Sequence, residues 1–207
     1  MTTKIKYDKA TALIVVDVQN DFADPKGSLY VKGGEDVVSL INAEIKAARD
    51  AGGIVLFTQD WHPAHTPHFA KDGGIWPDHC VAGTWGAEFY STLRGWSAVP
   101  WRTIRKGING EDGYSGFTVS DPISGKKTKT DLDRDLRAFE ISKLVVVGLA
   151  TDYCVKATAI DGAEFREKGS ARYAVTVLLD AVRAVNIKPG DGASAIAEMR
   201  KAGVTLL

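Results

Sequence analysis

Cysteine is scarce in this sequence, with only Cys80 and Cys154 among 207 residues. Two cysteines in unrelated contexts do not build the disulfide framework of a small secreted domain, and they lack the C-x-x-C spacing of a redox motif. Segment 1–10 is polar, unlike a secretory signal, and no apolar run approaches the roughly 20 residues that span a bilayer. The sequence therefore predicts a cytoplasmic protein without a membrane partner.

An excess of charge of one sign is also missing, because Lys plus Arg and Asp plus Glu both number 26. Without a net basic field, the chain is not expected to bind nucleic acid. No G-x-G-x-x-G follows the first apolar run and no Walker motif occurs, which disfavours a nucleotide-binding module. A non-catalytic module of that kind stays an alternative, because a parallel sheet by itself would permit it.

Short, β-branched apolar runs predict buried parallel strands, and helical patterns separate them. The predicted strands are 12–16, 53–58, 143–147, 172–178 and 204–207, with a weaker one at 99–104. The predicted helices are 34–51, 131–139, 151–168 and 193–202. This alternation predicts an α/β fold with three α/β/α layers and a mostly parallel sheet of about six strands. We expect residues 1–207 to form a single domain.

Polar groups follow the predicted strands at their carboxyl ends, where open parallel sheets bind ligands. In chain order they are Asp17 with Gln19 and Asp21, then Asp60 and His62, then Lys106, and finally Asp152 and Cys154. We expect these groups to meet at one edge of the sheet. Segment 61–95 has no clear periodicity and segment 107–130 is rich in Gly, Ser and Lys. Both are predicted to be long loops, which in a compact domain are usually functional or mobile.

Cys154 is a candidate nucleophile because it lies in the first turn of a predicted helix that begins after Thr151 as N-cap. The positive helix end and Lys106 would favour a thiolate there. Asp17 ends an apolar strand, where an ionised carboxylate needs a partner and could accept the thiol proton. A buried core cysteine and a turn-capping aspartate remain the structural alternatives.

Asp60 and His62 are two residues apart and would face the same side of an extended chain. His68 and His79 follow in the irregular segment, and His65 is also available. One carboxylate with two histidines suits Zn, Fe or Mn. Solvated loop histidines are the alternative.

Aromatic residues near these groups are candidate walls of a flat apolar pocket, although ordinary loop packing would also explain them. They are Phe22, Trp76, Trp85 and Tyr114. Cys80 is predicted to be structural, because neighbours in an extended chain face opposite sides and His79 is expected to face the site.

Six segments spread over most of the chain carry these groups. They are ALIVVDVQNDF (12–22), FTQDWHPAHTPHF (57–69), WPDHCVAGTWGAEF (76–89), RKG (105–107), YSGF (114–117) and VVVGLATDYCVKATA (145–159). In their order and spacing they resemble the nicotinamidase/pyrazinamidase branch of the isochorismatase-like hydrolases. Position 153 departs from the pattern, because this chain has Tyr where a His is common.

The resemblance implies roles for particular residues. It implies a catalytic triad of Asp17, Lys106 and Cys154. It implies one divalent metal ion, with zinc expected first and Fe or Mn as alternatives. The implied ligands of this ion are Asp60, His62 and His79. His68 matches a fourth ligand that occurs in some members. It implies an oxyanion hole of the backbone N–H groups of Ala150 and Cys154, with a cis peptide between Leu149 and Ala150. Phe22 and Trp76 would flank the substrate ring, with Tyr114 as a further pocket residue.

The resemblance also implies an activity: hydrolysis of nicotinamide to nicotinate and ammonia through a cysteine thioester, with pyrazinamide as a second substrate and a place in NAD salvage. A related small-amide hydrolase, similar to N-carbamoyl amidohydrolases, is the alternative. The sequence leaves the metal, the preferred amide and a homo-oligomeric state open.

Overall fold

The computed structural model describes residues 5–97, 103–164 and 173–207, and its central element is a parallel sheet. The strands are β1 Thr11–Val16, β2 Ile54–Asp60, β3 Thr103–Lys106, β4 Thr118–Ser120, β5 Lys127–Lys129, β6 Lys143–Leu149, β7 Ala174–Arg183 and β8 Thr205–Leu206. Six of them form one sheet in the order β3-β2-β1-β6-β7-β8. Every neighbouring pair in it is parallel, which confirms the predicted fold class.

Helices cover both faces of this sheet. They are α1 Asn20–Ala23, α2 Val38–Asp50, α3 Leu132–Ala138, α4 Lys156–Glu164 and α5 Asp191–Lys201. Leu13 and Val15 of β1 pack in the cluster that contains α2. Ile14 and Val16 pack in the cluster that contains α3, α4 and α5. Because successive strand residues point to opposite faces and both faces are covered, the strand is apolar throughout.

Several strands end later than the sequence predicts. β2 continues to Asp60 and β6 to Leu149, and Asp60 pairs in register with Lys106 of β3. Asp60 and Lys106 are therefore the last residues of their strands. The predicted strand starts at 99 and 172 and the predicted helix end at 168 lie outside the described residues.

The predicted helix 151–168 differs from the structure at its beginning. A π-helical turn, Thr151–Val155, precedes α4, and the N-cap is Ala150 in an extended conformation. Thr151 is therefore the first residue of the turn, and its prediction as N-cap was wrong. Segment 107–130, predicted to be a loop, contains the hairpin of β4 and β5. Both strands are short and lie at the surface, so they carry no alternating apolar pattern that would predict them.

The order of the sheet reverses at β1, which pairs with β2 on one side and with β6 on the other. Ligands of open parallel sheets bind in the crevice beyond such a switch point. Asp17 follows β1 directly, and Cys154 lies in the turn that follows β6. The fold thus brings two distant candidate residues to the same crevice. Within the described part of the chain, no helix combines the length and apolar character needed to cross a membrane.

Candidate active site

Lys106 is a buried cation held between two carboxylates. Its side chain is 1% exposed, and Nζ lies 2.8 Å from Oδ2 of Asp17 and 2.7 Å from Oδ1 of Asp60. Burial favours the neutral amine, but the two carboxylates outweigh it and raise the pKa of Lys106 well above its usual value. The lysine is therefore an ammonium ion at neutral pH that links two acidic groups.

The two carboxylates beside Lys106 have different proton affinities. Burial raises the pKa of Asp17, and Lys106 opposes the rise. Burial also acts on Asp60, but Lys106 and the nearby histidines hold its pKa at about 2. Thr58 donates its hydroxyl to Oδ1 of Asp17 over 2.6 Å and so fixes that carboxylate. Asp17 is therefore the better proton acceptor of the two.

Cys154 lies against this charged group. Its sulfur is 3.6 Å from Nζ of Lys106 and within 4.8 Å of a carboxylate oxygen of Asp17. Burial raises the pKa of the Cys154 thiol well above its usual value, and Lys106 counteracts this only in part. Burial thereby favours the thiol form and opposes the thiolate that the helix end and the lysine favour. The reason is the exclusion of water from the sulfur, which a helical position cannot reveal.

Three histidines form a second cluster at the same edge of the sheet. His62, His68 and His79 are buried, and each offers a ring nitrogen within 4.8 Å of the others. Nδ1 of His68 lies 2.9 Å from a carboxylate oxygen of Asp112, and Nδ1 of His79 lies 2.7 Å from the carbonyl oxygen of Pro77. Nε2 of His68 and of His79 is therefore the nitrogen left for another partner.

His62 provides a test of whether the cluster fits a metal ion. Both of its ring nitrogens are buried, and neither has a hydrogen-bond partner among the described residues. Burial lowers the pKa of His62 to about 4, so the ring is neutral, the form that binds metals. Asp60 lies nearby, with Oδ2 3.9 Å from Nε2 of His62. A buried imidazole without partners next to a carboxylate fits a divalent ion.

His65 is separate from this cluster. Its side chain is 81% exposed and lies 3.1 Å from Asp72 at the surface. Cys80 is buried in the apolar core, and its backbone N–H donates to Asp21 over 2.7 Å. Cys80 therefore lies in the core, as expected of a structural residue, although its φ of +46° is not that of an extended chain.

A cavity opens above the cysteine and the histidines. It encloses about 370 Å³, part of it open to solvent. The aromatic residues that line it are Phe22, Trp76, Tyr114 and Tyr153. The indole N–H of Trp76 donates to the hydroxyl of Tyr114 over 2.9 Å. Leu149 and Ala150, joined by a cis peptide bond, also line the cavity.

Trp85 does not belong to this cavity. It is 49% exposed and borders a separate groove with Trp61 and Trp96. Of the four candidate aromatic residues, Trp85 therefore fits the alternative of ordinary loop packing. Loop sequence alone does not reveal which aromatic side chains face the cavity.

The sequence matches the isochorismatase domain over residues 11–207. The chain belongs to the isochorismatase family. Among curated members, the nicotinamidase of Escherichia coli is 39% identical, over 94% of this chain and 93% of its own length.

Two solved structures share the isochorismatase-family fold with this chain. One is a pyrazinamidase of Pyrococcus horikoshii in complex with zinc, 35% identical, with a TM-score of 0.79 and coverage of 96% of this chain and 98% of its own. The other is PnC1 from L. infantum in complex with nicotinate, 34% identical, with a TM-score of 0.83 and coverage of 98% and 95%.

Gln19 is a residue of this isochorismatase-family site whose role the sequence did not reveal. It is fully buried, and its amide nitrogen donates to the carbonyl oxygens of Asp60 and Ala87 over 2.7 and 2.9 Å. Its amide oxygen accepts the backbone N–H of Asp60 over 2.8 Å. Gln19 therefore holds the backbone of Asp60 at the end of β2. The sequence signal was its position just beyond β1, between Asp17 and Asp21.

Gly107 packs closely against the imidazole ring of His62, so a side chain at position 107 would collide with that ring. Its φ is +76°, and an added Cβ would lie 2.4 Å from Nδ1 of His62. We expect Gly107→Ala to lower the free energy of unfolding by about 1–3 kcal/mol and to weaken metal binding, because the ring must move. Thermal unfolding and metal content of the purified variant measure both effects.

Gly125→Ala is the matched control. Gly125 has a φ of +69° but no atom within 4 Å of an added Cβ, so only the backbone cost remains. Equal effects of the two substitutions on metal content would contradict the steric argument.

Proposed function

We propose that the chain is a nicotinamidase, an amidohydrolase that converts nicotinamide into nicotinate and ammonia and also accepts pyrazinamide. The observation that carries this proposal is the buried group of Cys154, Asp17 and Lys106, whose cysteine lines an aromatic cavity. The relatives named above support it. The alternative is a related hydrolase of small amides such as N-carbamoyl compounds.

We assign the metal ligands as Asp60, His62 and His79, with His68 as a fourth. Neutral imidazoles and one carboxylate suit zinc first, with Fe or Mn as alternatives. When bound, the divalent ion supplies a Lewis-acidic centre for the ring nitrogen of the substrate. Phe22 and Trp76 flank the flat ring, and Tyr114 bounds the cavity beside Trp76.

The first half of the reaction is acyl transfer to Cys154. As its sulfur attacks the amide carbonyl, its proton passes to the Asp17 carboxylate. Lys106 stabilises the negative charge that moves between these two groups. The backbone N–H groups of Ala150 and Cys154 receive the oxyanion, which contributes about 3–4 kcal/mol per donor. Asp17 then protonates the amide nitrogen, and ammonia leaves behind a thioester.

The second half is hydrolysis of the thioester. Asp17, again a carboxylate, takes a proton from water as the water oxygen attacks the thioester carbonyl. The carbon–sulfur bond breaks, the acid product forms, and the thiol regains a proton from Asp17. We further propose that this reaction occurs in the cytoplasm and feeds NAD salvage.

An ammonia assay tests the proposed substrate class. We expect release of ammonia from nicotinamide and pyrazinamide at rates far above those from an N-carbamoyl amide, because the cavity walls are flat aromatic rings. Turnover of the N-carbamoyl amide with none of nicotinamide would contradict the proposal and favour the alternative hydrolase.

Removal of the metal gives a second prediction. We expect metal-free protein to lose at least about 100-fold in kcat/KM for nicotinamide and to regain activity with zinc. His62→Ala combined with His79→Ala should abolish stoichiometric zinc binding, measured by elemental analysis, because a carboxylate and one histidine remain. His65→Ala is the control and should retain its zinc. A fully loaded double variant would contradict the assigned ligands.

A further inference from the structure

His68 differs from the other two clustered histidines in what holds its ring. Its Nδ1 lies 2.9 Å from Oδ1 of Asp112, a side-chain carboxylate. His79 instead meets a backbone carbonyl, and both nitrogens of His62 lack a hydrogen-bond partner among the described residues. An ionised carboxylate can only accept a hydrogen bond, so Nδ1 of His68 carries the hydrogen and Nε2 carries the lone pair.

Asp112 is itself firmly placed by the chain around it. Its backbone N–H donates to the carbonyl of Ser120 over 2.7 Å, and its carbonyl accepts the N–H of Ser120 over 2.5 Å. The oxygen that faces His68 also accepts the N–H of Gly113 over 2.8 Å. Ser120 is the last residue of β4. The hairpin of β4 and β5 therefore determines where the carboxylate lies.

We propose that Asp112 is a positioning residue that selects the tautomer and orientation of His68 and so makes Nε2 of His68 a metal ligand. The inference rests on the metal site of the proposed function. Carboxylates in this relation to a ligating histidine strengthen metal binding, and their loss weakens it by about 10- to 100-fold. The hairpin, which contributes no group to the cavity, would thereby contribute to metal affinity.

The pair of His65 and Asp72 at the surface has a similar carboxylate–histidine contact but does not belong to the histidine cluster. His65 and Asp72 approach to 3.1 Å, but the His65 side chain is 81% exposed. The His68 side chain is 7% exposed and shares a cluster with two other histidines. The two histidines lie close together in the chain, so the outer pair is a control for the inner one.

The test is the zinc dissociation constant of the metal-free protein, measured by competition with a chromophoric chelator. We expect Asp112→Ala to weaken zinc binding by at least about tenfold, and Asp112→Asn to weaken it less because an amide oxygen still accepts the hydrogen bond. Asp72→Asn should leave zinc binding unchanged. A loss of less than tenfold in Asp112→Ala would overturn the proposal.

A double-mutant cycle separates positioning from a general effect on the fold. In a His68→Ala background, Asp112→Ala should change zinc affinity by less than about threefold, because no ring remains to be positioned. An equal loss in both backgrounds would show that Asp112 acts by holding the hairpin, and would overturn the proposal. Absence of zinc binding by the unaltered protein would overturn the metal site of the proposed function itself. Normal zinc binding and ammonia release with an unaffected Asp112→Ala would overturn only the role of Asp112.

Discussion

Substitution of Cys154 by alanine is expected to lower the rate of ammonia release from nicotinamide by at least about 10³-fold, because removal of a nucleophile leaves only binding and oxyanion stabilisation. The sulfur is a nucleophile that lies within 4.8 Å of a carboxylate oxygen of Asp17, and Cys154 lines the cavity. It touches Lys106 but is not in the three-histidine cluster. The variant should therefore keep its full metal content while losing turnover.

Cys80→Ala is the control for this result, because Cys80 is also buried but packs in the apolar core. Its side chain contributes nothing to the cavity, so activity should stay within a few-fold of the unaltered protein. Ammonia release, elemental analysis and thermal unfolding of both variants are the measurements. Retention of more than about a tenth of the activity by Cys154→Ala would remove the nucleophile from the proposed reaction.

Substitution of Lys106 by methionine is expected to lower the free energy of unfolding by about 3–5 kcal/mol, since it leaves two buried carboxylates without their cation. Asp17 and Asp60 both lie within 3 Å of Nζ, and both carboxylates are buried. Activity should fall as well, because the remaining carboxylates repel each other and one of them takes up a proton. Denaturant unfolding of the metal-free proteins at pH 7 measures the loss.

The loss of stability caused by Lys106→Met should become smaller as the pH falls. Without the lysine, burial and mutual repulsion raise the pKa of the carboxylate pair above that of the unfolded chain. The folded variant then binds more protons than its unfolded state, so its stability relative to the unaltered protein improves as the pH falls. A deficit that grows toward acidic pH would contradict the assignment.

Lys143→Met supplies the matched comparison. Lys143 is half exposed, and its Nζ lies 2.6 Å from a carboxylate oxygen of Asp8 at the surface. Such a pair contributes at most about 1 kcal/mol because water screens it. If Lys106→Met and Lys143→Met lowered the free energy of unfolding by the same amount, burial of Lys106 and its two carboxylates would not explain the loss of stability in Lys106→Met.

Strand ends were the most informative part of the sequence. Uninterrupted apolar runs identify strands that are buried on both faces, and parallel strands end at one edge of the sheet. The sequence alone therefore predicts that one edge of the sheet carries Asp17, Lys106 and Cys154. It does so although 89 positions separate Asp17 from Lys106. His68 could be named as a metal ligand only through the resemblance, because a histidine in a long loop has no periodicity that gives it a direction.

The sequence by itself determined the parallel α/β architecture and the residues at its ligand-binding edge, because both follow from hydrophobic periodicity and from the direction of parallel strands. Only the tertiary structure decided that burial raises the pKa of the Cys154 thiol, that Trp85 lies outside the cavity, and that Asp112 contacts His68. These properties depend on solvent exclusion and on contacts between segments remote in the chain. Local patterns cannot encode them, since the same residues would be solvated and unpaired in an extended chain.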